Sequence, residues 1–72
     1  MPLRIRDLRE DHNLTQAQIA ALLHVTQATY SRYETEDLDI PHSSLQILAN
    51  YYHTSVDYLL GRTNHPTPYP KN

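Results

Sequence analysis

The chain has 72 residues, with six Lys and Arg against eight Asp and Glu, and it contains no cysteine. This length holds one small domain without room for a large catalytic cleft, and the lack of cysteine excludes a disulfide framework and a thiolate metal site. The formal net charge of −2 does not give the basic footprint that is usual in nucleic-acid-binding domains. Four of the acids lie between positions 34 and 39. Because salt screens charges beyond roughly 8–10 Å, the position of these acids matters more than the sum.

The sequence predicts a soluble cytoplasmic protein. No apolar run approaches the roughly 20 residues that a membrane-spanning helix needs. The N-terminal stretch MPLRIRDLRED is charged at every second or third position and lacks the apolar centre of a signal peptide. We therefore expect no contact with a membrane.

Two short helices are predicted in the first third of the chain. The first runs from Leu3 to about His12 and ends at Asn13, a residue type that tolerates the left-handed conformation found at helix ends. The second follows Thr15, which is a good N-cap, and Gln18 stands three residues later, as a capping box requires. A tight turn after this helix then leads directly into a third one.

The third helix is predicted from Thr26, its N-cap, to about Glu34. A helix of this length is not stable alone in water, so the inward-facing Tyr30 and Tyr33 have to hold it by packing. Its outward residues are short and polar with a single Arg, whereas a merely solvated helix would more often carry Lys and Glu pairs. Such a surface suits a helix that enters a groove; its residues are Gln27, Ala28, Ser31 and Arg32.

The second half predicts an acidic loop, two more helices and a tail. The loop ends at Ile40 before Pro41, which disfavours helix. A fourth helix is predicted for residues 43–52 and a short fifth one after the cap Ser55, with Gly61 as its stop. Residues 64–72 are rich in proline and predict an extended or disordered tail. No segment alternates as a strand would, so the fold class is all-α. Neither Phe nor Trp is present, so we expect a tyrosine-rich core whose hydroxyls reach water at its rim.

Several short motifs follow one another at fixed spacing from about Leu3 to Thr63. They are IxxLR (5–9), LTQxxIA (14–20), VTQxTYSRYE (25–34), IP (40–41), LANYY (48–52) and VDYLLGRT (56–63). With these motifs the chain resembles the phage-repressor-like (Cro/CI-type, XRE family) helix-turn-helix domains. The resemblance implies a lambda-repressor-like domain of five short helices, residues 1–63, whose third helix lies in the major groove of double-stranded DNA. It also implies a homodimer on two half-sites about one helical turn apart.

The resemblance assigns roles to individual residues. We expect contacts to base edges from Gln27, Ala28 and Arg32. We expect contacts to the DNA backbone from Gln16 and Thr26, with Gln16 also bracing Gln27. A structural ion pair is expected between Arg9 and Glu34. Ser31 is either a further backbone contact or an idle surface residue. Side-chain chemistry agrees, because Gln can pair with adenine and Arg with guanine, each discriminating by about 1–3 kcal/mol. A methyl group such as that of Ala28 can pack on a thymine methyl.

The chain departs from the family pattern at two places. His24 stands where the family most often has Gly, in a turn that needs a positive φ. The acidic residues Glu36, Asp37 and Asp39 replace a loop that is commonly Asn-Gly with basic residues and that approaches the DNA backbone in relatives. Acids at this position repel DNA unless the loop turns away or offers only main-chain N–H groups.

Other site types find little support in the sequence. No two of the five histidines are spaced i, i+3 or i, i+4, so we expect no metal site and no cofactor. No motif marks a catalytic group, so we expect no enzyme. Three residues lie off the main apolar stripe and form either a dimer patch or scattered surface positions: Ile47, Tyr51 and Tyr58.

Two hypotheses for the function come from different classes. The first is a sequence-specific, dimeric DNA-binding transcriptional regulator, specifically a repressor of prokaryotic or phage type. The alternative is an antitoxin-like or adaptor module that keeps the fold but mainly binds another protein, with the acidic loop as its contact.

Overall fold

The computed structural model describes residues 3–65, and within them the chain forms five helices and no strand. The helices are α1 (Ile5–Asp11), α2 (Gln16–Leu23), α3 (Gln27–Glu34), α4 (His42–Tyr51) and α5 (Val56–Leu59). The all-α prediction with five short helices is confirmed. Some boundaries differ, since α1 begins two residues later than expected, and α4 both begins and ends one residue earlier, starting directly after Pro41. The predicted tail lies almost entirely outside the described residues.

Side-chain caps set where three of the helices begin. The hydroxyl of Thr15 accepts the N–H of Gln18 at 3.1 Å while the Gln18 side chain accepts the N–H of Thr15 at 2.7 Å, which is the predicted capping box. Thr26 caps α3 by accepting the N–H of Thr29 at 3.1 Å, and Ser55 caps α5 by accepting the N–H of Tyr58 at 3.0 Å. These bonds satisfy N–H groups that have no partner inside the helix.

Each of the five helices is followed, within two residues, by a residue with a left-handed backbone. In α1 the N–H of Asn13 bonds to the carbonyl of Glu10, and that of Leu14 to the carbonyl of Arg9, both at 3.0 Å. This pair of bonds is the Schellman motif, and equivalent pairs close α2, α4 and α5. Among residues 3–65, four of the five residues with a positive φ are not glycine, and these four carry a steric cost. The five are Asn13 (φ 57°), His24 (59°), Glu36 (63°), His53 (54°) and the glycine, Gly61 (75°).

The core lies where all five helices meet. Tyr30 of α3 is fully buried at its centre, and its ring makes an edge-to-face contact with Tyr33, with centroids 6.4 Å apart. The remaining buried apolar residues come from all of the helices and the turn after α4: Ile5, Ile19, Ala20, Leu23, Leu45, Leu48, Ala49, Tyr52 and Leu59.

The expectation that the core tyrosines place their hydroxyls in water is wrong for Tyr30 and Tyr52. Both hydroxyl oxygens are buried and find no hydrogen-bond partner of good geometry among the described residues. Burial raises the pKa of Tyr52 to about 12 and raises that of Tyr30 still further. The reason is that α3 and the end of α4 pack so deeply in the core that the hydroxyl groups are covered together with the rings, whereas a tyrosine at the rim of a core keeps its hydroxyl in water.

Arg4 ties the start of α1 to the segment after α5. Its guanidinium carbon lies 4.2 Å from the centroid of the Tyr58 ring, and its nitrogens donate to the carbonyls of Tyr58 and Thr63 and to the side chain of Asn64. The Arg4 N–H also bonds to the carbonyl of Leu59 at 2.9 Å. These contacts close the bundle on the side of α1 and α5. Among residues 3–65, no helix has the length and apolar character needed to cross a membrane.

Candidate nucleic-acid interface

The angle between α2 and α3 is fixed by a short, fully bonded turn. His24 adopts the predicted positive φ, its N–H bonds to the carbonyl of Ala21 at 3.2 Å, and the N–H of Val25 bonds to that of Ala20 at 3.0 Å. Ala20 is buried, and its small side chain allows the two helices to pack closely. Val25 packs against the core from within the turn. The turn therefore fixes the position of α3 relative to α2.

One side of α3 is exposed and polar. Gln27, Ala28 and Arg32 are all exposed, and Ser31 is half-buried beside them. Residues four apart lie above one another on a helix, so Gln27 stands over Ser31 and Ala28 over Arg32. The opposite side of the helix carries the buried tyrosines. Three residues that the sequence marks for base contact therefore share one exposed face.

The hydroxyl of Thr26 is already committed within α3. Its oxygen accepts the N–H of Thr29, and its proton goes to the Thr29 hydroxyl at 2.9 Å. A phosphate needs donors, so the side chain of Thr26 has little left to offer. The first N–H groups of the helix, those of Gln27 and Ala28, have no partner inside it and suit an anion better.

Gln16 reaches Glu34 with its side chain. The Gln16 amide nitrogen donates to Glu34 Oε1 at 3.0 Å, and the residue is half-buried. A side-chain amide carries two protons, so one of them is left for a second acceptor. The side chain thus joins the start of α2 to the end of α3.

Glu34 is the centre of a buried polar cluster. Its carboxylate makes a two-point ion pair with Arg9, at 2.6 Å from Nε to Oε2 and 3.2 Å from the second nitrogen to Oε1. The two side chains are only 3% and 13% exposed, for Glu34 and Arg9 respectively. Arg9 also donates to the Leu14 carbonyl at 2.9 Å. Through these bonds, α1, the start of α2 and α3 are fixed to one another.

The Glu34 carboxyl is held in its ionised form. Burial acts against ionisation, but the hydrogen bonds from Arg9 and Gln16 outweigh it, so the pKa of Glu34 lies below its usual value. The Tyr30 hydroxyl approaches the same carboxylate and favours its charge, although it does not reach full hydrogen-bond geometry. The pKa of Arg9 is raised by its hydrogen bond to Glu34. The pair therefore stays charged inside the fold.

The exposed face of α3 carries little positive charge. Arg32 is the only Lys or Arg between positions 14 and 34. Glu36, Asp37 and Asp39 follow directly and are exposed. The loop that carries them is ordered by bonds from the Leu38 N–H to the Arg32 carbonyl at 3.2 Å and from the Thr35 hydroxyl to Asp37 at 3.1 Å. Affinity for DNA cannot come from a broad basic surface here.

The three residues expected off the main stripe have different surroundings. Ile47 and Tyr51 lie one turn apart on α4 and are 38% and 47% exposed. Tyr58 lies on α5 under the guanidinium of Arg4 and is half-buried. Two of the three thus form an exposed apolar strip, whereas Tyr58 already has a partner within the chain.

Arg4 and Gln16 have structural contacts that the sequence does not indicate. Arg4 precedes α1 and contacts residues more than 50 positions away, and no local pattern marks such a pair. For Gln16, the sequence predicts a phosphate contact and a brace to Gln27, but not the bond to Glu34. The pairing of Gln16 with Glu34 follows once α2 and α3 are packed, because both residues then lie beside Arg9.

The chain is similar to known helix-turn-helix proteins along most of its length. The helix-turn-helix family model matches residues 5–59. An uncharacterized HTH-type transcriptional regulator of Bacillus subtilis (strain 168), YobD, is 43% identical over 65 residues, which are 90% of this chain and 58% of the relative. The HTH-type transcriptional regulator ImmR of the same organism is 34% identical over 59 residues, which are 82% of this chain and 46% of the relative.

A solved structure agrees with these relatives. The crystal structure of a transcriptional regulator from Listeria innocua matches with a TM-score of 0.79 and 32% sequence identity, covering 86% of this chain and 58% of that chain. The chain thus spans about half the length of the relatives it matches. The residues that match include α2, the turn and α3, whose geometry is described above. The chain belongs to the phage-repressor-like (Cro/CI-type, XRE) helix-turn-helix family.

Proposed function

We propose that this domain is a sequence-specific double-stranded DNA-binding transcriptional regulator, a repressor, that reads the major groove with α3. The observation that carries the proposal is the exposed face of Gln27, Ala28 and Arg32 on a helix whose angle is fixed by the capped turn and by Glu34. The family and the relatives support DNA binding by a helix-turn-helix. The domain acts by binding and not by catalysis.

Base recognition would rest on three side chains. Arg32 offers the two-point donor set that matches guanine, and Gln27 offers one donor and one acceptor, which match adenine. The methyl group of Ala28 would pack on a thymine methyl. Because the buried side of α3 is fixed by Tyr30 and Tyr33, these side chains project from a backbone that does not have to be ordered on binding.

Backbone contacts would fix the register on the duplex. The N-terminal ends of α2 and α3 present unpaired N–H groups, which favour phosphate oxygens. Gln16 can add its second amide proton, and Ser31 can add its hydroxyl. Thr26 would contribute mainly by shaping the start of α3, since its own hydroxyl is bonded to Thr29.

The working form would be a homodimer in the cytoplasm. Ile47 and Tyr51 form an exposed apolar strip on α4 that a second copy could cover, and Tyr58 of α5 would be the third residue of this dimer patch. Two copies would place their α3 helices in successive major grooves, about 34–36 Å apart. A dimer that occupies a promoter in this way would repress transcription by exclusion.

Selection of bound duplexes from a random pool tests this proposal. We expect enrichment of paired half-sites whose centres lie about 10 base pairs apart. The Ile47→Ser/Tyr51→Ser variant should weaken selection of paired sites, while Gln46→Ala/Asn50→Ala, two exposed changes on the same helix, should not. A pool that shows no sequence enrichment at low salt would contradict the regulator function.

A further inference from the structure

A groove of about 310 Å³ lies between the loop after α3, the first half of α4 and the segment after α5. Ile40, Leu45 and Leu60 line it together with Leu3, so much of its lining is apolar. None of the residues to which we assign DNA contacts lines this groove. The groove is therefore separate from the proposed DNA-contacting surface and, unlike it, is in large part apolar.

Leu38 stands at this groove with 37% of its surface exposed. Its backbone is held by the bond to the Arg32 carbonyl, and the loop before it is set by Glu36, whose N–H bonds to the Tyr33 carbonyl at 3.2 Å. A large apolar side chain is thus presented in a defined position. Covering the Leu38 side chain would be favourable, because apolar surface would be removed from water.

The rim of the groove is acidic. Glu36 and Asp39 line it, and Asp37 lies between them in the chain. Arg62 also lines the groove, but its guanidinium lies 3.8 Å from the Asp57 carboxylate. Negative charge at the rim disfavours phosphates, nucleotides and DNA.

The volume of the groove is at the low end of the roughly 300–1,000 Å³ that is usual for ligand sites. The groove therefore fits a few side chains.

We propose that this groove binds a short segment of a partner protein, in which one or two large apolar side chains are flanked by Lys or Arg. The apolar side chains would cover Leu38 and the groove floor, and the basic ones would face Glu36 and Asp39. A second copy fits less well, because the exposed apolar residues Ile47 and Tyr51 lie on α4, which contains no Lys or Arg. This interaction is separate from DNA binding and does not rest on it.

Selection of peptides tests the proposal on the full chain. A random 12-residue peptide library displayed on phage is selected against the immobilised protein, and the enriched peptides are synthesised. We expect them to combine Leu, Ile, Met or Phe with Lys or Arg. Their Kd, measured by fluorescence anisotropy, should rise about tenfold in Leu38→Ser, as expected for a central apolar contact.

Matched variants locate the binding site. Ile47→Ser removes an equally exposed apolar residue outside the groove, and it should change the Kd less than about twofold, as most contacts outside a hot spot do. Glu36→Gln/Asp39→Asn should weaken binding and reduce its salt dependence, whereas Asp7→Asn/Asp11→Asn, two exposed acids outside the groove, should not. Circular dichroism on each variant shows whether the fold is retained.

Several results would overturn the proposal. They are a selection without enrichment, enrichment of acidic peptides, or an equal loss of peptide affinity in Leu38→Ser and Ile47→Ser. Self-association of the protein that Leu38→Ser abolishes would also overturn it, because a second copy would then occupy the groove. DNA binding measured on the same variants should be unchanged by Leu38→Ser. A failure of DNA binding with intact peptide binding would count against the proposed function alone.

Discussion

Glu34 joins three elements through one buried carboxylate. Arg9 from α1 and Gln16 from α2 both bond to it, and the Tyr30 hydroxyl approaches it from the core. Losing one member of a buried ion pair leaves the other charged and unpaired, which is more damaging than losing a surface pair. The Glu34 side chain therefore adds a polar link between α1, α2 and α3 to the turn and the apolar packing that orient α3.

We expect Glu34→Gln to destabilise the domain by about 3 kcal/mol at neutral pH. The pKa of Glu34 is lowered in the folded state, so its contribution is fully present above the unfolded value of 4.5 and is lost as pH falls through the folded value. Urea unfolding of both proteins between neutral and acidic pH measures this. The difference between them should shrink below pH 4.5. A difference that stays constant with pH would contradict the role of the carboxylate, and the control Glu10→Gln, at an exposed pair, should change stability by less than about 1 kcal/mol.

His24 occupies a left-handed position that glycine adopts without steric cost. Its φ of 59° and ψ of 40° place it in the turn between α2 and α3. We expect His24→Gly to raise the free energy of unfolding by about 0.5–1 kcal/mol, because the relief of backbone strain exceeds the added entropy of the unfolded chain. Thermal and urea unfolding measure the change. His42→Gly, which lies at the helical start of α4, should bring no gain, and a similar gain in both variants would argue against the backbone explanation.

At the scale of the elements, local signals determine where the helices lie. The caps at Thr15, Thr26 and Ser55 and the stop at Asn13 are short-range patterns, and the structure confirms all four. Contacts between distant segments could not be predicted in this way. The clamp of Arg4 on Tyr58 depends on how α1 meets α5, and the buried hydroxyls of Tyr30 and Tyr52 depend on packing depth.

Of the two candidate binding surfaces, one could be predicted from local sequence patterns and the other could not. The exposed face of α3 follows from helical spacing, because this spacing places Gln27, Ala28 and Arg32 on the side of the helix opposite the inward-facing tyrosines. The groove beside α4 does not, because it needs Leu38 from a loop and Leu60 from a later turn at one place. Sequence reasoning found the acidic residues of this loop but not the apolar surface that accompanies them.

The acidic loop after α3 should weaken general attraction to DNA. We expect Asp37→Lys to tighten binding to non-specific duplex about tenfold at about 50 mM salt if the new Lys gains a phosphate contact, and the gain should fade as salt rises. Anisotropy titrations with a random-sequence duplex measure it. Asp11→Lys makes the same charge change on α1 and serves as the control. Equal effects of both variants, or none at low salt, would show that the loop lies away from DNA.

At the scale of the whole molecule, we expect discrimination between DNA sequences to contribute more to binding than general electrostatic attraction to DNA. The net charge is −2, and Arg32 is the only charged residue on the exposed face of α3. If each protomer neutralises about two phosphates, a dimer has a slope of log affinity against log salt near −3.6. Shape, neutral donors and two-fold symmetry would then supply most of the discrimination between sites.

Base reading by α3 is tested most directly by the affinities of the unmodified protein, of Gln27→Ala and of Arg32→Ala for a selected operator and for all its single-base variants. Each substitution should cost about 1–3 kcal/mol on the operator and should abolish the preference at one base position, leaving the others intact. Arg6→Ala and Gln46→Ala, two exposed changes elsewhere, should leave every preference in place. If Gln27→Ala and Arg32→Ala instead weaken binding equally on all sequences, then α3 contacts the DNA backbone and does not read the bases.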